Sequence, residues 1–304
     1  MSSGAPAVSA AAAPAPASAS ARSHVTDPGE VPYVLDIEKA TLRNTNYRTA
    51  AWTGDTLQLT LMSIPVGGDV GLEVHPDVNQ FFRIESGTAE VQMGTEDLLS
   101  FVKIAGPDDV IMIPAGTWHN VVNAGSEPLQ MYSLYGPQQH PQGTVHPTQA
   151  DAGEGDEPRP SPQVAEPTPI EPFTADPGAV PMVFDVDQAT VDNTNFRTAA
   201  WTTSTLQLTL MDIPGGGDVG LEMHSDVDQF LRIESGRAKV YFGDREDSVQ
   251  KYRVAKAGDA ILIPSGTWHN VVNISKKKPL ELYSLYGPQQ HPQGTIHVTQ
   301  PAED

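Results

Sequence analysis

The sequence predicts an all-β protein built from two copies of one small antiparallel sandwich or barrel. Its clearest feature is an internal repeat, since residues 44–52 return almost unchanged as residues 193–201, and residues 56–62 as residues 205–211. Short apolar or alternating runs are separated by Gly, Pro, Asn and Asp, which is typical of strands joined by tight turns. No long stretch shows the 3.6-residue period of a helix.

The predicted strands of the first copy follow from local patterns in chain order. Residues 56–62 alternate apolar and polar side chains, the period of a half-buried strand. Turn-forming residues delimit the remaining runs, and residues 118–122 follow a Pro-x-Gly turn. These remaining predicted strands are residues 81–93, 110–114, 118–122 and 129–135.

The repeat divides the chain of 304 residues into four parts. Residues 1–26 are rich in Ala, Pro and Ser and have no periodic apolar face, so we expect a disordered tail there. Two barrels are predicted at residues 27–150 and 176–304, and each begins at an Asp-Pro-Gly sequence. Residues 151–175 are rich in Pro, Glu and Asp, which predicts an extended, solvated linker.

Charge and composition exclude several classes of function. The net charge of -20 argues against nucleic acid as a partner, because the only lysine run is residues 276–278. The chain has no cysteine, so any metal ion must be held by nitrogen and oxygen ligands. No apolar run is long enough to span a bilayer and no secretory signal begins the chain, so we expect a soluble, cytoplasmic protein with no membrane partner.

Metal-binding side chains recur at fixed spacing in both copies. Glu73 and His75 are two residues apart, so on a strand they would face the same side, and Gln80 follows across a turn. The Pro-x-Gly turn that begins at Pro114 delivers His119 onto a new strand. The second copy repeats the four positions as Glu222, His224, Gln229 and His269.

On these motifs the chain resembles the cupin superfamily, whose two motifs line the mouth of a jelly-roll barrel, also called a double-stranded β-helix. Residues 258–273 match the second motif throughout, whereas the first copy has Asp108 where that motif begins with Gly. In the first motif, Glu73 stands in the place of the first His, His75 matches the second, and Gln80 replaces the usual Glu. The resemblance thus implies a two-barrel cupin, or bicupin, with an altered ligand set.

That ligand set implies one divalent metal ion per barrel, held by two His, one carboxylate and one amide. Such a site suits Mn, Fe(II), Zn, Ni or Co without choosing among them. The alternative is a hydrogen-bonded barrel mouth without metal. A buried Glu beside two His would then carry an uncompensated charge, which favours the metal.

Each half also resembles the small bacterial and archaeal cupins labelled mannose-6-phosphate isomerase-like, a label that describes kinship rather than activity. The shared features include the Asn-Thr-Asn opening at residues 44–46 and the histidine-containing ending at residues 132–146. Oxalate decarboxylases are two-domain cupins as well. Their motif keeps His-x-His with a separate Glu, a pattern that this chain lacks in both halves, so the resemblance argues against that activity.

Further groups recur outside the predicted ligand sets. Arg83 with Glu85, and Arg232 with Glu234, have the strand parity opposite to the Gln ligands, so we expect them outside the barrel lumen as structural pairs. A histidine-containing tail ends each half and could fold over the barrel mouth as a substrate contact or proton shuttle, or could be surface loop. Its histidines are His140 and His146 in the first half, and His291 and His297 in the second.

The sequence leaves two classes of function open. One is a metal-dependent enzyme, isomerase-like or dioxygenase-like, acting on a small oxygen-bearing substrate. Isomerisation would require a proton-transferring residue, for which Asp77 or a tail histidine is available, and no catalytic residue is assigned. The other is a non-catalytic module that binds or senses a small molecule. Two fused barrels would form a pseudo-dimer within one chain, and further homo-oligomers are compatible with this.

Overall fold

The computed structural model describes residues 25–153 and 161–301. The predicted disordered tail, residues 1–26, lies outside the described residues except for its last two positions. Part of the predicted linker, residues 154–160, also lies outside them. Within the described ranges, no helix is both long enough and apolar enough to cross a membrane.

The first half and the segment after it contain short strands, one α-helix and one 3₁₀ turn. In chain order they are β1 (Tyr33–Asp36), α1 (Ile37–Arg43), β2 (Arg48–Thr53), β3 (Gln58–Ile64), β4 (Asn79–Ser86), β5 (Ala89–Gly94), β6 (Leu98–Leu99), β7 (Phe101–Ala105), β8 (Asp109–Ile113), β9 (Trp118–Asn123), β10 (Leu129–Gly136), β11 (Val145–His146), the 3₁₀ turn Gln149–Ala152 and β12 (Gln163–Val164).

The second half repeats this order. Its elements are β13 (Met182–Asp185), α2 (Val186–Asp192), β14 (Arg197–Thr202), β15 (Gln207–Ile213), β16 (Asp228–Ser235), β17 (Arg237–Gly243), the 3₁₀ turn Glu246–Ser248, β18 (Lys251–Lys256), β19 (Asp259–Ile263), β20 (Trp268–Asn273), β21 (Leu280–Gly287) and β22 (Ile296–His297).

Each half is a sandwich of one large and one small antiparallel sheet. The large sheets have the strand orders β11-β2-β3-β10-β4-β8-β13 and β1-β19-β16-β21-β15-β14-β22. The small sheets are β7-β5-β9 and β18-β17-β20. The prediction of two all-β barrels is therefore confirmed. Predicted strand 81–93 is in fact β4 and β5, because Gly87, with a φ of 96°, turns the chain between them.

The two large sheets exchange one strand each. Strand β1 pairs with β19 of the second half, with Tyr33 opposite Leu262, and β13 pairs with β8 of the first half, with Phe184 opposite Val110. Each half is thus completed by the strand that precedes the other half's repeat. The halves are joined by backbone hydrogen bonds as well as by side-chain packing.

Strand alternation divides the apolar side chains into three cores. Along β4, Phe82 and Ile84 face the interior of the first sandwich, whereas Phe81 faces the second half. An equivalent interior core fills the second sandwich. The core between the halves includes Trp52, Leu59, Phe81, Leu134, Trp201, Leu208, Phe230 and Leu285.

A buried ion cluster crosses the interface between the halves. Arg83 Nη1 lies 3.3 Å from Glu234 Oε1, and Arg232 Nη2 lies 3.3 Å from Glu85 Oε1. Arg83 also pairs with Glu85, and Arg232 with Glu234. These residues lie outside both barrel interiors, as their parity predicts, and they link the halves in addition to pairing within each sheet.

Two features of the fold were not predicted from the sequence. Helices α1 and α2 have seven residues each, too short for a helical period to show in the pattern, and their Asp N-caps accept hydrogen bonds from Lys39 N and Gln188 N. The predicted linker also contacts the first half. Gln163 N donates to Asp97 O at 2.9 Å and Thr168 N to Val102 O at 2.9 Å, so this segment extends along β6 and β7.

Candidate metal centre

Glu73 and His75 lie on an irregular segment between β3 and β4. The predicted strand at these two residues is wrong, because only Glu73 forms a β-bridge, with His119 at the start of β9. Glu73 N donates to His119 O at 3.0 Å and His119 N donates to Glu73 O at 2.9 Å. The bridge therefore fixes the spacing between the carboxylate and imidazole residues directly.

The Pro-x-Gly turn sets the start of β9. Gly116 has a φ of 76°, which favours glycine, and its N–H donates to His75 O at 2.8 Å. Earlier in the same motif, Asp108 replaces the expected Gly and still has a left-handed φ of 72°. Its carboxylate accepts a hydrogen bond from Arg83 Nη2 at 2.6 Å, which stabilises the substitution. The motif geometry is thus retained despite the sequence departure.

Three donor atoms converge in the first half. Glu73 Oε1 lies 3.2 Å from His119 Nε2 and 3.3 Å from His75 Nε2. One ligand atom from each of the three residues lies within 4.8 Å of the others, a spacing that could hold a metal ion. His119 is buried, while Glu73 and His75 are partly buried.

The hydrogen bonds of His119 orient its Nε2 toward the Glu73 carboxylate. Its Nδ1 lies 2.9 Å from Thr117 O, and because a carbonyl oxygen only accepts, Nδ1 must carry the proton. If the ring is neutral, Nε2 then carries a lone pair directed at the Glu73 carboxylate, and both atoms are hydrogen-bond acceptors. Two acceptors 3.2 Å apart require a proton or a metal ion between them. Fixing Nδ1 on a carbonyl also orients the ring as in protein metal sites.

The carboxylate itself is held in its ionised form. Burial alone raises the pKa of Glu73, but the hydrogen bonds and charges of His119 and His75 outweigh burial and hold that pKa well below its ordinary range. Glu222 behaves in the same way beside His224 and His269. A charged carboxylate therefore faces two imidazoles in each half.

Gln80 faces the same chamber. It has the strand parity of Phe82, it is fully buried, and it lies opposite Tyr135, whose ring centroid is 6.1 Å from that of His75. Gln80 Nε2 donates to Ser133 Oγ at 3.2 Å, which leaves Oε1 buried without a hydrogen-bond partner. An amide oxygen of this kind is available as a ligand.

The second half repeats the cluster with fewer internal hydrogen bonds. Glu222 Oε1 lies 3.3 Å from His269 Nε2 and 3.5 Å from His224 Nε2, and His269 Nδ1 lies 2.9 Å from Thr267 O. Each of the four predicted ligands has one buried atom with no hydrogen-bond partner. These atoms are Glu222 Oε1, His224 Nε2, Gln229 Oε1 and His269 Nε2.

The histidine-containing tails fold back onto the chamber. In the first half, the Tyr135 ring lies between the rings of His75 and His140, with its centroid 5.2 Å from that of His140. Gln58 fixes the tail, because its Oε1 accepts from His140 N at 2.8 Å and its Nε2 donates to His140 O at 2.7 Å. Sequence reasoning missed Tyr135 and its twin Tyr286, although the Tyr-x-x-Tyr spacing at the end of each half is a visible signal.

Comparison with known proteins places this geometry in a family. The Cupin domain matches twice, at residues 60–135 and at residues 209–286. The protein YrkC of Bacillus subtilis is 53% identical over 127 residues, which cover 41% of this chain and 68% of that protein. The crystal structure of BH2720 from Bacillus halodurans is 48% identical and covers 42% of this chain and 96% of that chain, with a TM-score of 0.41.

Two-domain structures are similar over a longer part of the chain. Oxalate decarboxylase of Lactobacillus farciminis, in its formate complex, is 15% identical, with a TM-score of 0.50, and covers 78% of this chain and 78% of that chain. At this identity the likeness extends to the fold alone. The two Cupin domain matches together span half of the chain, and we conclude that it belongs to the cupin family, with one domain in each half.

Proposed function

We propose that each half binds one divalent metal ion. The ligands are Glu73, His75, Gln80 and His119 in the first half, and Glu222, His224, Gln229 and His269 in the second. The observation that carries the proposal is the convergence of one donor atom from each of Glu73, His75 and His119, all within 4.8 Å of one another. The unpartnered buried oxygen of each Gln supports a fourth ligand.

The donor set restricts the identity of the ion. Two imidazole nitrogens, one carboxylate and one amide oxygen suit Mn, Fe(II), Zn, Ni or Co. The Nδ1 hydrogen bonds of His119 and His269 to carbonyl oxygens keep both Nε2 lone pairs aimed at the site. Four protein ligands leave room for exogenous oxygen ligands in a five- or six-coordinate ion.

We further propose that the protein is a metal-dependent enzyme acting on a small oxygen-bearing substrate, through isomerisation or dioxygenation. A bound ion would supply Lewis acidity or, if redox-active, a site for O₂. The chain contributes the wall of Tyr135 and His140 beside the ligands. Asp77 and Asp226 are exposed, so the tail histidines are better placed than either Asp to move a proton.

Oxalate decarboxylation is not part of the proposal. The oxalate decarboxylases share the two-domain fold, but the likeness to them is only 14–16% identity. The carboxylate in this chain precedes the first His, in contrast to the His-x-His pattern of those enzymes. The second candidate function is a binding or sensing module. In such a module the same metal sites and folded-back tails would bind a small molecule without turnover.

Metal analysis of ligand variants tests the proposal. We expect about two equivalents of transition metal per wild-type chain after supplementation, about one in Glu73→Ala or Glu222→Ala, and almost none in the double variant, because the carboxylate supplies the only negative charge of each site. Glu96→Ala, at an exposed glutamate, is the matched control and should keep both ions. Wild-type protein that stays metal-free would contradict the proposal.

Turnover assays separate the two candidate functions. The loaded protein and the double variant would be assayed for product formation and O₂ consumption across hydroxy-carbonyl and enediol compounds. Turnover in the wild type alone identifies an enzyme. Ligand-induced stabilisation without turnover identifies a binding module.

A further inference from the structure

A continuous wall of polar side chains extends from the second ligand cluster toward solvent. The Tyr286 ring centroid lies 6.0 Å from that of His224 and 5.3 Å from that of His291, and the His291 centroid lies 6.2 Å from that of His297. Tyr286 is fully buried, whereas His291 and His297 are partly exposed. The wall therefore connects the ligands to the mouth of the barrel.

Arg197 stands at the far end of this wall. It is only 6% exposed and lies opposite His297 in the pairing of β14 with β22. Its neighbours include a thioether and an aromatic ring. Nη2 lies 3.9 Å from Met211 Sδ, and the guanidinium lies 5.5 Å from the centroid of the Phe196 ring. Among the described residues, no carboxylate forms an ion pair with it.

The wall carries several hydrogen-bonding atoms that the protein leaves unused. Arg197 Nε, Tyr286 Oη, His291 Nε2 and His297 Nδ1 are all buried without a hydrogen-bond partner. Burying a permanent charge and several donors without partners is costly, so such groups are normally satisfied by a ligand or by water. These groups follow one another along the wall, so a single ligand lying against it would satisfy several of them together.

Two opposite charges act on the wall, Arg197 at one end and the Glu222 carboxylate of the ligand cluster at the other, and an anion is favoured at the Arg197 end. Burial, and after it the charge of Arg197, lower the pKa of His291 to about 4, so this ring is neutral near pH 7. The same two causes lower the pKa of His297. Arg197 is then the fixed cation of the wall. A protein with a net charge of -20 repels anions in general, so a local guanidinium is needed to hold one.

We propose that Arg197, Tyr286 and the two histidines of the wall bind a carboxylate group of the substrate. The planar guanidinium suits a carboxylate, and the tyrosine hydroxyl can donate a further hydrogen bond. This inference rests on the proposed function in that it names the substrate class, a small carboxylate-bearing molecule whose other oxygens face the ligand cluster. The proposed carboxylate site lies in the second half of the chain.

Calorimetric titration of the full chain tests the wall separately from the metal. Malonate and succinate would be titrated into metal-stripped protein and into Mn-loaded protein, with inorganic phosphate as a parallel arm. We expect Arg197→Met to remove one equivalent of dicarboxylate binding, or to weaken it about 10- to 100-fold, since it removes the charge-assisted hydrogen bonds of the guanidinium. Lys277→Met, which removes an exposed cation, is the matched control.

Two further variants keep the test decisive. Arg197→Lys should bind more weakly than the wild type, because it keeps the charge and loses the planar fork. If Arg197→Met fails to fold by circular dichroism, Tyr286→Phe replaces it and should weaken binding in the same direction. Metal content should be unchanged in all of them, which a merely structural disruption would not allow.

The outcomes separate this inference from the metal proposal. Dicarboxylate binding that is equal in wild type, Arg197→Met and Tyr286→Phe would overturn the inference even if both metal ions bind. Arg197-dependent binding to protein that takes up no metal would support the wall and refute the metal proposal. Arg197-dependent binding of phosphate, with no dicarboxylate binding, would overturn the assignment to carboxylates.

Discussion

The tail histidines His140 and His291 are neutral because of their surroundings. Burial, and after it the nearby charges of Arg48 and Arg197 respectively, lower the pKa of His140 to about 3 and that of His291 to about 4. A free histidine has a pKa near 6.5. The unfolded chain therefore binds more protons than the folded chain below about pH 6.5, and the folded state loses stability as the pH falls toward these lowered values.

Replacing both histidines with glutamine should reduce this acid sensitivity. Above about pH 7 we expect the free energies of unfolding of the wild type and the double variant to differ by a constant amount. From about pH 6.5 down to pH 4 the wild type should lose stability relative to the variant, because only the wild type takes up protons on these rings when it unfolds. Urea midpoints at several pH values measure this. Parallel stability curves down to pH 4 would show that burial does not hold these rings neutral.

Three of the proposed ligand residues were predictable from the sequence, whereas their neighbours were not. Glu73, His75 and His119 belong to motifs whose resemblance to those of cupins predicts convergence, and the structure brings these three together. Tyr135 reaches the site only through strand register with Gln80. Arg197 was missed because its position depends on the tail strand β22, which is two residues long and has no pattern of its own.

At the scale of elements, the residue before each proposed ligand Gln forms hydrogen bonds between the two halves. Asp228 Oδ1 accepts from Ser265 N at 2.8 Å in the Pro-x-Gly turn of its own half. Its Oδ2 accepts from Thr56 N and from Leu57 N, at 2.6 and 3.0 Å, in the β2–β3 turn of the other half. Asn79, the equivalent residue in the first half, donates to Thr205 Oγ1 at 2.6 Å.

Removing the Asp228 carboxylate should destabilise the whole fold. Asp228 is fully buried, and Asp228→Ala would leave three backbone N–H groups without an acceptor. We expect a loss of about 3 kcal/mol or more in the free energy of unfolding. Urea denaturation measures it, with Asp226→Ala as an exposed control expected to change stability by less than about 0.5 kcal/mol. Equal stability of the two variants would refute this role.

Close backbone approach marks the same junction. A Cβ on Gly136 would lie 2.5 Å from Thr205 O, and one on Gly287 would lie 2.8 Å from Thr56 O. These glycines end β10 and β21, the strands next to the ligand strands. The contacts involve opposite halves, so no local pattern in either repeat could have indicated them.

At the scale of the molecule, the sequence predicted a pseudo-dimer but not the exchange of strands. The exchanged strands have the similar sequences Tyr-Val-Leu-Asp and Met-Val-Phe-Asp, and each precedes a similar repeat. Either strand could pair with β8 or with β19 on sequence grounds. Residue preference alone therefore does not decide which pairing forms.

The first half expressed alone, as residues 25–153, should therefore not remain a monomer. It lacks β13 to complete its sheet, and it would expose the interface core around Trp52, Phe81 and Leu134. We expect a homodimer in which β1 of each copy pairs with β8 of the other. Light scattering after gel filtration measures the mass. A stable, soluble monomer would show that strand exchange is dispensable.

Anomalous scattering from Mn-soaked crystals of the full chain tests the metal centres most directly. We expect two peaks per chain, each at about 2.0–2.3 Å from the donor atoms of one ligand set, the normal range for imidazole and carboxylate ligands. One set is Glu73, His75, Gln80 and His119, and the other is Glu222, His224, Gln229 and His269. Peaks elsewhere, or none in either cluster at saturating Mn, would contradict the proposal that the two barrels are metal sites.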